Sequence, residues 1–178
     1  MTQTANDFVR NAAKFPPTKQ VFAAHTGARR SEMLRSQIED FDFVSGMVTI
    51  REKKRDRGKE CTFRHVPMTP MLRQTMTEWF AIHPGGQLTV CEEPNVPMEP
   101  GSAHHHFRWT LDGSKWEPVH GWHTLRHSFC SNCAMKGLDQ RIIDSWMGHQ
   151  TEDMRRRYRH LFPDHQQHAM NQVFGKTA

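Results

Sequence analysis

Residues 121–162 read GWHTLRHSFCSNCAMKGLDQRIIDSWMGHQTEDMRRRYRHLF, and three short helices can be drawn from this run alone. Gly121 to Gly137 is predicted as one helix stopped by Gly137, because glycine just past the last turn is a common helix terminator. DQRIIDSWMG, residues 139–148, is predicted as a second. A third is predicted from Asp153 to Phe162, ended by Pro163, which cannot continue a helix. A short tail helix is expected to close the chain. On this frame His123 and Arg126 stand three residues apart, on one helix face, where both can reach a single phosphate. Arginine suits that task because its planar fork offers two parallel hydrogen bonds to phosphate oxygens. His149 follows Gly148, whose conformational freedom permits a sharp turn between helices. Nine residues later comes Tyr158, the only tyrosine of the chain, inside RRRYRH.

Working outward, KQVFAAHTGARRSEMLRSQIEDF (residues 19–41) carries an apolar stripe of Val21, Ala24, Ala28 and Leu34. Thr26-Gly27 marks a break between two helices there. Met47–Ile50 and Cys61–Val66 read as two strands joined through REKKRDRGKE, a charged hairpin tip with Gly58. Pro67 ends the second strand. Thr69-Pro70 reads as an N-cap followed by proline at the first helical position, opening MLRQTMTEWFAIH. Residues 84–119 have the least regular pattern, with at most one short helix near HHHFRWTL. Residues 1–20 are polar and broken by Pro16-Pro17.

The bulk composition narrows the class. The 178 residues suffice for one ordinary domain. Lys and Arg outnumber Asp and Glu by 24 to 19, which favours a polyanionic partner. No apolar run reaches the length of a membrane span, and MTQTANDFVRNAAKF lacks the apolar core of a signal peptide. The four cysteines, Cys61, Cys91, Cys130 and Cys133, are scattered, which suits free thiols in a reducing cytosol. Cys130-Ser-Asn-Cys133 spells CxxC, but a zinc site needs two further ligands. The pair falls mid-helix, where small residues pack against a core, and His104-His105-His106 is expected in a solvated loop.

Four segments together resemble the tyrosine recombinases, or phage-type integrases. HTLRH (123–127) and WMGHQTEDMRRRYRHLF (146–162) resemble the HxxR, (L/M)GH and nucleophile boxes of that family. TGARRSEML (26–34) resembles its TGxRxSEL box, and REKKRDRGKE followed by RHVPM (64–68) resembles the strand pair whose tip carries a catalytic lysine. The boxes come in family order and cover roughly residues 20–175.

The resemblance implies a mainly α-helical fold with a small antiparallel β-sheet (α+β), of about three strands. The third strand is expected near Gln87–Val90 or lost in an irregular insertion at about 91–106. The domain would run over 20–178, after a polar segment 1–19. It implies DNA cleavage without metal, ATP or other cofactor, in which Tyr158 attacks the scissile phosphorus and forms a 3′-phosphotyrosyl link. Arg29 and Arg126 would hold the non-bridging oxygens, and His123 would accept the tyrosine proton. Lys53 or Lys54 would protonate the leaving 5′-oxygen, and His149 would donate to a phosphate oxygen. Glu32 would orient Arg29, and Arg155, Arg156 and Arg157 would contact DNA phosphates. The implied partner is double-stranded DNA, bound by a homotetramer that is a monomer when free, in a bacterial-type cytosol and on the nucleoid when DNA-bound. Such enzymes serve site-specific recombination and the integration of mobile elements. The family's N-terminal core-binding domain is expected to be absent here, since only about 20 residues precede the first box. That leaves a truncated DNA-binding remnant as the alternative function, and a type IB topoisomerase as a further one.

Overall fold

Helix α1, Thr18–Thr26, is almost wholly removed from water: Val21, Phe22 and Ala23 are fully buried and Ala24 nearly so. It packs against α3 (Pro70–Ala81) and α5 (His123–Met135), and so forms the axis of the main core. The computed structural model describes residues 18–52, 62–148, 156, 158, 160 and 161. Lys53, Lys54, His149, Arg155 and Arg157 lie outside these residues, as do 1–17 and the tail segment 162–178.

The predicted break after α1 is present. The Thr26 hydroxyl donates to the Phe22 carbonyl at 2.7 Å and accepts from the Ala28 N–H at 3.2 Å, which closes the helix. Gly27 then takes φ +64°, and α2 (Arg30–Met33) begins three residues on. A Cβ at Gly27 would stand 2.8 Å from both Met147 Sδ and Phe129 Cδ1. The turn is therefore tight both in backbone and in packing.

Three antiparallel strands follow, β1 (Phe41–Asp42), β2 (Met47–Arg51) and β3 (Phe63–Pro67), in the order β1-β2-β3. Their register pairs Val48 with Val66 and Ile50 with Arg64. Alternation buries Val48 and Ile50 on β2 and Arg64 and Val66 on β3. The third strand is not near Gln87–Val90, where Leu88 makes only an isolated antiparallel bridge to Gln37. It is Phe41–Asp42, turned back by Asp42, whose carboxylate accepts from the N–H groups of Val44 and Ser45 at 2.9 and 3.0 Å. A strand of two residues carries no alternation to read.

Helix α3 opens as expected, with Thr69 Oγ1 accepting from the Leu72 N–H at 3.2 Å and Pro70 in the first turn. The one short helix expected near HHHFRWTL is present and begins four residues before that run. Helix α4 spans Pro100–Leu111 and buries Ala103, Phe107 and Leu111 at four-residue spacing. His104-His105-His106 therefore lies on a helix and not in a loop, and the second part of the presumed insertion is helical. The three consecutive histidines obscure the apolar stripe on either side of them.

Helix α5 ends at the glycine turn Gly137, with φ +71°. Asp139 caps α6 (Gln140–Met147) by accepting from the Arg141 N–H at 2.8 Å. Cys130 and Ala134 of α5 join Ile143 and Met147 of α6 and Tyr158 in a second, smaller core.

Replacing Gly27 by alanine is expected to cost about 2 kcal/mol, because it adds left-handed strain to a collision with Phe129 and Met147. Urea denaturation of the variant beside wild type, read by circular dichroism, checks this.

Candidate active site

Arg126 joins two of the sequence boxes directly. It is 3% exposed on α5 and spends its terminal nitrogens on two backbone carbonyls, Gly27 O at 2.6 Å and Met147 O at 2.5 Å. The first carbonyl lies two residues before Arg29 and the second two residues before His149. Burial, then repulsion from Arg29 and Arg64, holds its pKa down to about 10, while Glu32 opposes the shift. It stays charged at neutral pH, with further N–H groups left for an anion.

Arg29 is one-third exposed and donates from Nη1 to Glu32 Oε1 at 2.7 Å. Glu32, 3% exposed, also accepts from the Arg29 backbone N–H at 2.8 Å. Two hydrogen bonds from Arg64 complete its surroundings, Nη2 to Oε2 at 2.6 Å and Nη1 to Oε1 at 3.2 Å. Burial pushes the Glu32 pKa up, but the hydrogen bonds and charge of Arg64 and the bonds from Arg29 outweigh it and hold the carboxyl at about 2. This contact is the one through which Glu32 would orient Arg29.

Arg29 and His123 both line an open pocket of about 360 Å³, together with Arg30, His104 and His120. His123 is exposed at the first position of α5. Arg126 is not among the lining residues, and its place is set by the two carbonyls. Neither the HHH run nor His120 suggested a place in this pocket from sequence. His104 reaches it because α4 turns that residue outward, whereas His106 faces Glu92 at 3.1 Å and Lys19 at 3.3 Å.

Tyr158 sits apart from the pocket. It is 3% exposed in the second core, and its hydroxyl is hydrogen-bonded to His127 Nδ1. The His127 ring lies 6.1 Å from that of Tyr158 and 6.3 Å from that of His123, centroid to centroid. Two histidines one turn apart thus connect the tyrosine to the mouth of the pocket. His127 had no role in the reading of the sequence, although its spacing from His123 is the helical i, i+4 interval that puts two side chains on one face.

The hairpin base is fixed on both strands. The Glu52 N–H donates to the Thr62 carbonyl at 2.9 Å, and the Glu52 carboxylate accepts from Thr62 Oγ1 at 2.6 Å and from Arg64 Nη1 at 3.2 Å. The same carboxylate lies against Gly148, at φ +72°, so closely that a Cβ there would collide with it. The two described ends of the undescribed Lys53–Cys61 and His149–Arg155 segments therefore meet. Arg156 is exposed on the helical turn before Tyr158. Cys130 is buried, and burial together with Cys130 pushes its half-buried neighbour Cys133 up to about 11. Both act as core residues of α5.

Residues 10–165 match the profile of the phage integrase family. The chain belongs to that family. Among curated integrase-type relatives it is 29% identical over 146 residues to the tyrosine recombinase XerC of Thermodesulfovibrio yellowstonii, covering 76% of this chain and 46% of that protein. It is 28% identical over 145 residues to the tyrosine recombinase XerD of Corynebacterium glutamicum, covering 78% and 46%. The chain thus spans about half the length of the curated relatives it matches. The fold is shared with the XerA recombinase, at TM-score 0.75 and 18% identity over 99% of this chain and 63% of that one. It is shared with the catalytic domain of bacteriophage HP1 integrase, at TM-score 0.64 and 20% identity over 97% and 96%. XerH site-specific recombinase bound to difH substrate in a pre-cleavage complex matches at TM-score 0.72 and 20% identity, over 97% and 53%. No helix among the described residues is long and apolar enough to cross a membrane.

Because Glu32 is held near 2, below its ordinary 4.5, its stabilising contribution is complete above about pH 4.5 and is lost as pH falls towards 2. Thermal melts across that range are expected to show a shallower acid loss in Glu32→Gln than in wild type.

Proposed function

We propose that this domain cuts and rejoins double-stranded DNA through a phosphotyrosine intermediate, as a site-specific recombinase or integrase catalytic domain. The observation that carries the reading is Arg126, bonded to the carbonyls of Gly27 and Met147, which gathers the arginine, HxxR and MGH boxes around one cationic centre. Among the described residues, three guanidinium groups, Arg29, Arg64 and Arg126, stand with two carboxylates there, Glu32 and Glu52, which leaves these five groups one negative charge short. A phosphodiester supplies that charge. The relatives solved with DNA support duplex DNA as the partner.

Tyr158 leaves its hydrogen bond to His127, and its oxygen attacks the scissile phosphorus while His123 takes the phenol proton. Arg29 and Arg126 hold the non-bridging oxygens as charge builds on the pentacoordinate phosphorane. The bond to the 5′-oxygen breaks, and Lys53 or Lys54 gives that oxygen its proton. A 5′-hydroxyl from another strand reverses the sequence, so no external energy source enters. His149 donates to a phosphate oxygen from the turn that Gly148 allows. Arg155, Arg156 and Arg157 contact neighbouring phosphates, which makes binding weaken with salt. Assembly is as a homotetramer on paired DNA sites, from monomers, in the cytosol and on the nucleoid.

A library of short, nicked duplexes of randomised sequence tests this, with SDS-resistant protein–DNA adduct as the readout. Wild type is expected to form adduct and Tyr158→Phe none. Arg126→Lys is expected to form it about 100-fold more slowly, since an ammonium replaces the fork. Salt-sensitive binding with no adduct from any duplex would instead make the chain a DNA-binding remnant.

A further inference from the structure

Alternation along β3 places Arg64 on the buried face, between exposed Phe63 and His65 and beside buried Val66. A guanidinium at an apolar strand position must be fully partnered or it destabilises the fold. Arg64, with its side chain 5% exposed, is partnered on every nitrogen. Its Nε donates to the Trp146 carbonyl at 2.7 Å, Nη1 to Glu32 and Glu52, each at 3.2 Å, and Nη2 to Glu32 at 2.6 Å.

These acceptors are not drawn from one neighbourhood of the chain. Glu32 grips the guanidinium and the N–H of Arg29. Glu52 is the last described residue before Lys53 and lies against Gly148. Trp146 precedes Met147, whose carbonyl holds Arg126. One side chain thus touches the supports of the first arginine, of the hairpin and of the turn into His149. The two-nitrogen, two-oxygen match to Glu32 is a fork that lysine cannot reproduce.

We propose that Arg64 is a positioning residue, which sets Arg29, the hairpin base and the Trp146–Gly148 turn in mutual register so that their groups converge on one phosphate. Stability alone gives a poor account of it. Buried ion pairs contribute little net stability, and apolar replacements of similar volume are often tolerated. What an apolar residue cannot do is fix three separate segments by directional hydrogen bonds. The role rests on the phosphate-binding site proposed above, but one arm of its test does not require strand cleavage.

Arg64→Lys and Arg64→Met are made in the full chain, and folding is checked by circular dichroism melts. In the first arm, inorganic phosphate is titrated while the ring proton signals of His123 are followed by NMR. Wild type is expected to bind, and both variants to bind at least about tenfold more weakly, the scale of loss when a group that orients a ligand is removed. In the second arm, adduct formation is timed on one duplex from the library, with a scissile phosphodiester or with the neutral methylphosphonate. The variants are expected to be about 100-fold slower on the phosphodiester, the effect of a small misplacement. On the methylphosphonate, where the anion to be gripped is gone, the gap to wild type should shrink.

Folded variants with wild-type phosphate affinity, or with equal defects on both substrates, would overturn the proposal. So would wild type that binds no phosphate. Should Arg64→Met fail to fold, Arg64→Lys decides, and failure of both to fold assigns Arg64 to stability alone. Should wild type bind phosphate but form no adduct on any duplex, the recombinase reading fails and the phosphate arm alone judges Arg64.

Discussion

A carboxylate taken out of water must be matched by positive charge close at hand, and Glu32 is the place where this chain meets that demand. Its two oxygens accept from Arg29 twice and from Arg64 twice. Burying it without those partners would cost several kcal/mol. With them, the α1–α2 turn and strand β3 are locked to each other through one residue. Arg64 extends the connection to Glu52 and Trp146, and Arg126 closes it from the far side through Gly27 and Met147. The charged centre is therefore part of how the elements are joined. Among the described residues, the internal pairs leave this centre with more guanidinium than carboxylate groups.

Helix α5 divides its residues between three tasks. Leu125 faces the main core, Cys130 and Ala134 face the smaller one, and Arg126 is buried between turns from either side of it in sequence. His123 and His127 share the remaining stripe, one at the pocket and the other at the Tyr158 hydroxyl. Tyr158 is accordingly held as a core residue, with its hydroxyl bonded to His127, while the open pocket lies at the other end of that histidine stripe, beside His123.

The family of the chain was legible from its letters, because its arginine, histidine and tyrosine boxes resemble those of the family in order and spacing. Thr26-Gly27, Thr69-Pro70 and Gly137 also marked their breaks and caps correctly, since those residue types act through local backbone geometry. Local signals failed where the element was too short or its pattern was overlaid. Phe41–Asp42 is too brief to alternate, and although a short helix near HHHFRWTL was legible, the three histidines read as a solvated loop and hid how far the Ala103, Phe107 and Leu111 stripe extends.

Sequence was enough to place the chain in its family and in the mixed α and β class, both of which depend on residue identity and short-range spacing. Tertiary structure alone decided which side chains meet across 21 to 99 residues of chain, as Arg126 does with Met147 and Gly27. It alone put Arg64 at the junction of three segments, brought His127 to the Tyr158 hydroxyl, and set His104 beside Arg29 and His123. Long-range partners are selected by packing and by the need to satisfy buried polar groups. Neither condition leaves a periodic trace in the sequence.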